Sequence, residues 1–344
     1  MNKDEFLQIL GSLLQELPAD ERNMALAFCE ESISDRVEDG QSEEEAVRQL
    51  GDAEELASSI LSEFPETEGD NGDDKAEEKL YETDVSELKR VSLHVHNLPV
   101  QLCPSEDNRL RFHYYENDKI RFQIGERYGV LYIEQNQPRG LWRLRPWRAR
   151  TVTLAVPKAF LGDTELRNAN GKVTAEGLCL AGKLTCHATN AAVVLQDIEA
   201  AAADVSSANG RAELSSLKLP GALDCHVTNS KINISAVSAG QIDVATKNGK
   251  ITLSDVASAG HLKVNNINGK IESERISGTD IRLKTVNGTI EGSVRGRAEE
   301  YSVSARTVNG TCSVPRGENE KASKSLTAKT VNGSIKLSFT DTDA

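Results

Sequence analysis

The sequence predicts a mainly β protein: a β-solenoid with coils of about 20 residues, preceded by a small N-terminal helical bundle. Three observations predict it. An asparagine recurs at positions 170, 190, 209, 229, 248, 268, 287, 309 and 332, at intervals of 19 to 23 residues. Apolar residues stand at fixed offsets from each of these asparagines, with polar residues between them. The first 64 residues instead carry the i, i+3, i+4 spacing of helices and much of the acidic charge.

In the N-terminal segment, Phe6, Ile9, Leu10, Leu13, Leu14 and Leu17 fall on one helical face, and Pro18 disfavours continuation. Asp20 can cap a second helix running through Met24, Ala27 and Phe28. A third opens on the capping box Ser42-x-x-Glu45, breaks at Leu50-Gly51-Asp52 and restarts on Asp52-x-x-Glu55 ahead of Leu56, Ile60 and Leu61. Residues 65–80 are polar and acidic and are expected to form a flexible linker. Residues 81–159 read as β lead-in and cap, and residues 160–340 as the repeats.

Within the repeats, four residues before each Asn stand Leu166, Cys186, Val205, Cys225, Val244, Val264, Leu283, Ala305 and Ala328. Three residues after stand Val173, Val193, Ala212, Ile232, Ile251, Ile271, Ile290, Cys312 and Ile335. Two folds fit this alternation. In a solenoid, equivalent residues stack about 4.8 Å apart into continuous aliphatic rows. In an antiparallel meander, each Asn-Gly is a type I′ hairpin turn. Identical residue classes at identical offsets are what stacking demands, so the solenoid is preferred. Seven of the nine asparagines are followed by Gly, and a residue needed nine times is a structural corner rather than a catalytic group. Asn tolerates left-handed backbone angles, and its amide can bond to the amides above and below.

Two resemblances follow from quoted motifs. EFLQILGSLLQELPADER and EEEAVRQLGDAEELASSI, covering nearly all of residues 1–64, resemble the HAAS-type helical domain of bacterial signalling proteins, which implies a regulatory or interaction module and brings no catalytic residues. NANGKVTAEGL, TKNGKITLSDV and TVNGTIEGSV, with the opening strands HNLPVQLC and TVTLAVPK, resemble a bacterial adhesin-like β-strand-repeat family of uncharacterised proteins. That resemblance spans about three quarters of the chain and carries a fold motif without an activity.

The net charge of −13 divides unevenly: residues 1–82 hold 25 acidic and six basic side chains, net −19, while the remainder holds 28 and 34, net +6. The two parts face different partners or each other. No apolar run is long enough to span a membrane, and the N-terminus has acidic residues where a signal peptide has basic ones, so the expectation is a cytoplasmic protein that can associate with membranes. Six scattered cysteines without CxxC pairs suggest reduced thiols.

Little in the sequence points to catalysis. His94, His96 and His113 read as strand histidines rather than metal ligands, since no Cys or carboxylate cluster completes the set. In Cys186-His187 and Cys225-His226, alternation sends each Cys inward and each His outward, so neither pair can act as nucleophile and base. No phosphate-binding loop is present. The expectation is a non-enzymatic protein without cofactors or metal. Two binding candidates remain. The cluster Trp142, Arg143, Arg145, Trp147, Arg148 and Arg150 suits an anionic headgroup surface. Lys172, Arg211, Lys231, Lys250 and Lys270, each two residues after a corner Asn, would stack as a basic row that either pairs with acids such as Glu213 and Glu272 or meets an anionic partner. The functional expectation is a regulatory or scaffold protein, of an envelope-stress type, with a protein partner at the acidic helices and an anionic membrane surface at the solenoid. Nucleic acid is a disfavoured partner, and the alternative is an exported adhesin-like surface protein.

Overall fold

A computed structural model describes residues 1–15, 17, 22, 25–26, 29–30, 33–34, 36–37, 41–62, 76–117, 120–136, 150–315 and 322–340. The chain divides into two compact units: residues 1–77 with 115–121 and 136–150, and residues 78–114, 122–135 and 151–344.

In the first unit, helices α1 (Lys3–Leu13), α2 (Glu43–Leu50) and α3 (Ala53–Ser62) are described. Asn2 caps α1 in a reciprocal box with Glu5, the Ser42 side chain accepts from the Glu45 N–H, and the Asp52 carboxylate accepts from the Glu54 and Glu55 N–H groups at the start of α3. Each cap satisfies amides that the first helical turn leaves open. Phe6, Leu10, Leu14 and Leu17 bury one stripe against Ile33, Ala46, Val47, Ala53 and Ala57. Ile9, expected on that face, is 42% exposed, because the buried stripe is narrower than the full apolar arc. The expected second helix rests on Asp20, Met24, Ala27 and Phe28, which lie outside the described residues.

The second unit is a parallel β-solenoid, not a meander. Its opening strands are β1 (Glu77–Asp84), β2 (Arg90–Val95), β3 (Val100–Pro104), β4 (Arg109–Glu116), β5 (Phe122–Arg127), β6 (Val130–Gln135) and β7 (Val152–Val156). Residues 77–80, placed by the sequence at the end of the linker, are already strand. The coils proper begin with β8 (Asp163–Asn168) and β9 (Val173–Glu176) and run through β10 (Lys183–Ala188), β11 (Val193–Glu199), β12 (Ala202–Ser207), β13 (Ala212–Val227), β14 (Ile232–Asn248), β15 (Ile251–Ser258), β16 (His261–Asn268) and β17 (Ile271–Ile276). They end with β18 (Asp280–Lys284), β19 (Ile290–Arg295), β20 (Tyr301–Asn309), β21 (Cys312–Ser313), β22 (Lys324–Asn332) and β23 (Ile335–Thr340).

Parallel register puts like on like. One inward row runs Leu93, Leu166, Cys186, Val205, Cys225, Val244, Val264, Leu283 and Ala328, and the facing row runs Val100, Val173, Val193, Ala212, Ile232, Ile251, Ile271, Ile290 and Ile335. All of these are buried. Each fully buried aliphatic side chain contributes roughly 1.5–3 kcal/mol through the water it no longer contacts, so the rows are the main source of stability.

Two features of the stack are absent from the sequence pattern. The coils are not in sequence order at either end. β2 lies between β6 and β8, and β3 between β7 and β9; likewise β22 lies between β18 and β20, and β23 between β19 and β21. The earliest and latest coils in sequence are therefore both second from an end in space. In addition, the residue seven after the corner Asn turns left-handed in successive coils: Gly177, Asp197, Ser216, Ala236, Asp255 and Arg275, with φ between 51° and 68°. For the five that are not Gly, this backbone costs about 1–2 kcal/mol each, offset by the rows that the turn lets pack.

Candidate interaction surface

The corner explains the motif KTVNG residue by residue. The Asn side chains form a one-way amide ladder in which each Nδ2 donates to the Oδ1 of its neighbour: Asn170 to Asn97, Asn190 to Asn170, Asn209 to Asn190, Asn229 to Asn209, Asn248 to Asn229, Asn268 to Asn248, Asn287 to Asn268, Asn332 to Asn287 and Asn309 to Asn332, at 2.7–3.0 Å. Asn97 is a member that the 20-residue period does not reveal, although Leu93, Val100 and Leu102 around it repeat the apolar offsets. The Gly that follows lies against the coil below: at Gly249, with φ +155°, a Cβ would stand 2.2 Å from the Ser230 carbonyl oxygen. The Thr two before the Asn points in and staples that lower corner, with Thr285, Thr330 and Thr307 donating to the carbonyls of Gly269, Gly288 and Gly333. Its two neighbours, the basic residue and the Val, alternate outward.

The predicted basic row is mostly neutralised. Arg211 pairs with Glu213 at 2.9 Å and Lys250 with Glu272 at 2.6 Å, while Lys270 bridges Glu272 and Glu291. Those cations hold the Glu272 carboxyl below its usual range, Lys250 first. Lys231 is exposed with no ion pair among the described residues, and Ala192 separates Lys172 from the others in the stack. Of the aromatic and basic cluster, Trp142, Arg143, Arg145, Trp147 and Arg148 lie outside the described residues. Arg150 donates to the Ala76 carbonyl at 3.2 Å and stands over the Tyr115 ring at 4.9 Å. Among the described residues no three His, Cys, Asp or Glu side chains are grouped so as to hold a metal ion, and no described helix is long and apolar enough to cross a membrane.

A different basic group stands out. Lys284, Lys329 and Arg306, the first residues of the three KTVNG and RTVNG motifs, are in register on three successive coils. All three are exposed, and none makes an ion pair among the described residues. The valines beside them form a parallel column of Val286, Val331 and Val308, with Val331 40% and Val308 69% exposed. Sequence reasoning missed this column because the motif was read only as a corner; the repeated basic residue ahead of each TVNG was the available signal. Several other outer-face charges are paired, as where Asp255 takes a two-point contact from Arg275 and a third bond from Arg295.

These features define a parallel β-solenoid with regular outer columns of side chains. The chain belongs to the Toastrack DUF4097 family, whose model matches residues 88–343, and the HAAS family model matches residues 5–59. No curated protein matches the chain. Among solved structures, a candidate adhesin from Bacteroides fragilis NCTC 9343 is 13% identical, with 76% of this chain and 97% of that chain covered and a TM-score of 0.34. A candidate cell adhesion protein from Clostridium sporogenes ATCC 15579 is also 13% identical, with 77% and 100% covered and a TM-score of 0.21. Superpositions at these scores support no inference about function.

Proposed function

We propose that the protein is a non-enzymatic regulatory or scaffold protein that binds a protein partner through its acidic HAAS helices and an anionic membrane surface through its solenoid. The observation that carries the membrane reading is the unpaired column Lys284, Lys329 and Arg306 beside exposed valines. Unit charges about 4.8 Å apart repel by about 0.9 kcal/mol per neighbouring pair even in bulk water, a cost that an anionic surface relieves. Each basic residue near such a surface contributes about 1 kcal/mol, and exposed Val308 and Val331 add apolar contact at the headgroup boundary. The resulting binding is weak and salt-sensitive.

Co-sedimentation with phosphatidylglycerol vesicles at low salt tests this reading. The wild-type chain should pellet with the vesicles, the triple variant Lys284→Ser, Arg306→Ser, Lys329→Ser should remain in the supernatant, and Lys231→Ser should pellet as the wild type does. Equal pelleting of the wild type and the triple variant would remove the column from the mechanism, and a wild type that stays in solution would end the membrane reading.

A further inference from the structure

The two ends of the solenoid are built differently. At one end the parallel stack is closed by antiparallel strands: β5 pairs along β6, and β4 lies on β7 with Phe112 opposite Leu154. Phe112, Tyr114 and Phe122 pack over that end with ring centroids 4.9–5.2 Å apart, and Leu131, Ile133, Val152 and Leu154 beneath are buried. At the other end, β20 and β21 pair on one side only among the described residues. Apart from Tyr301, which is buried against Phe339, their inward residues lack cover: Val303, Ala305 and Thr307 are half-exposed and Cys312 is exposed, while Leu326, Ala328, Thr330 and Ile335 one coil below are buried.

An edge of this kind is a template for another strand, and proteins that leave one unpaired usually shield it with Pro, a bulge, an inward charge or several lysines. β20 is nine residues long, YSVSARTVN, with Arg306 as its single charge and no Pro. Its free backbone groups can be placed. The Thr285 N–H donates toward the next coil, to the Lys329 carbonyl, whereas the Ser325 N–H donates back to Thr279. Thr307 aligns with Thr330 and Ser302 with Ser325. By that alternation, the N–H groups of Val303, Ala305 and Thr307 face the open side.

We infer that two copies of the chain join end to end through antiparallel pairing of β20 with β20 of the partner subunit. The strand suits its own copy. With Ala305 opposite Ala305 of the partner subunit, Val303 meets the partner's Thr307 on the inward face, so the two cores become continuous. On the outer face Arg306 meets the partner's Ser304 and Val308 meets the partner's Ser302, with no like charges opposed. Pairing β20 with β20 uses the same edge on both copies, so the contact is isologous and stops at two copies. Antiparallel addition is also how this molecule closes its other end. The inference does not depend on membrane binding.

The test uses the full chain. Sedimentation velocity should show a dimer, and Ala305→Lys, which sets an ammonium on the open face where it can still reach water, should give a monomer with an unchanged circular dichroism spectrum. Cys312 lies across the core from Ala305, so a short bis-maleimide should link two chains in the wild type and fail with Cys312→Ser. A monomeric wild type, a dimer that survives Ala305→Lys, or growth into longer polymers would each overturn the pairing.

Discussion

Asn332 donates to Asn287 at 2.8 Å across 45 positions of sequence, and Asn309, which lies between them in the chain, bonds on the far side of Asn332. This pair fixes the order of the last coils and makes the ladder positions unequal. Asn332 holds two ladder bonds, whereas Asn309 at the end holds one. With a net worth of about 0.5–1.5 kcal/mol per bond, Asn332→Ala should cost about twice as much as Asn309→Ala in denaturant melts. Equal losses would mean that the ladder contributes nothing beyond the turn.

Ile251 is fully buried between Ile232 and Ile271. Ile251→Asp places an unpaired carboxylate in the aliphatic row and should cost about 4 kcal/mol or more, while Thr252→Asp on the outer face should stay within about 0.5 kcal/mol. Urea unfolding of the two variants checks the difference.

Cys186 and Cys225 share a row with Val205 between them, two coils apart, or about 9–10 Å. That exceeds the roughly 7 Å limit for a disulfide. Burial pushes both thiols up to about 12. In the native protein at pH 8 neither should react with a thiol reagent, whereas exposed Cys312 should; in denaturant all six should titrate. Because the unfolded thiols ionise near 9 and the folded ones only near 12, stability should fall as pH rises across that interval. Substituting Ala at both positions should flatten that fall.

Asp255 is held at about 2, chiefly by the Arg275 guanidinium and then by Arg295. A carboxyl depressed in the folded state stabilises above its unfolded value and loses that contribution as pH falls from about 4 to about 2. Thermal melts should show a shallower acid decline for Asp255→Asn than for the wild type over that window. The charges are partly exposed, so salt should shrink the difference.

Much of this fold was legible because burial is periodic: Cys186, Val205 and Cys225 announce an inward row by chemistry alone, and Val173 through Ile335 announce the facing one. The exchange of end coils was not legible. Every coil presents the same inward classes, so Lys324–Thr340 fits any slot as well as its neighbour does, and the only traces are the longer intervals of 22 and 23 at Asn309 and Asn332. The left-handed position was hidden for another reason: Asp197, Ser216, Ala236, Asp255 and Arg275 share a backbone geometry and no side-chain chemistry. At the surface, the row at Arg211 to Lys270 was visible together with its neutralising acids. The column at Lys284, Arg306 and Lys329 was present as the repeated basic residue ahead of each TVNG, and what spatial order adds is that Lys329 is its middle member.

That order also has a consequence for synthesis. Residues 301–313 leave the ribosome before residues 324–340, yet the strand on which they lie is made of the later segment. The final rung therefore cannot take its final place when it is made. It waits in the nascent chain until the last coil arrives and is slotted beneath it. A chain cut short before Lys324 would keep Leu283 and Ile290 at a bare edge and leave Tyr301–Asn309 with nothing to rest on. The end that the inferred dimer uses is therefore complete only once β22 and β23 are in place beneath β20 and β21.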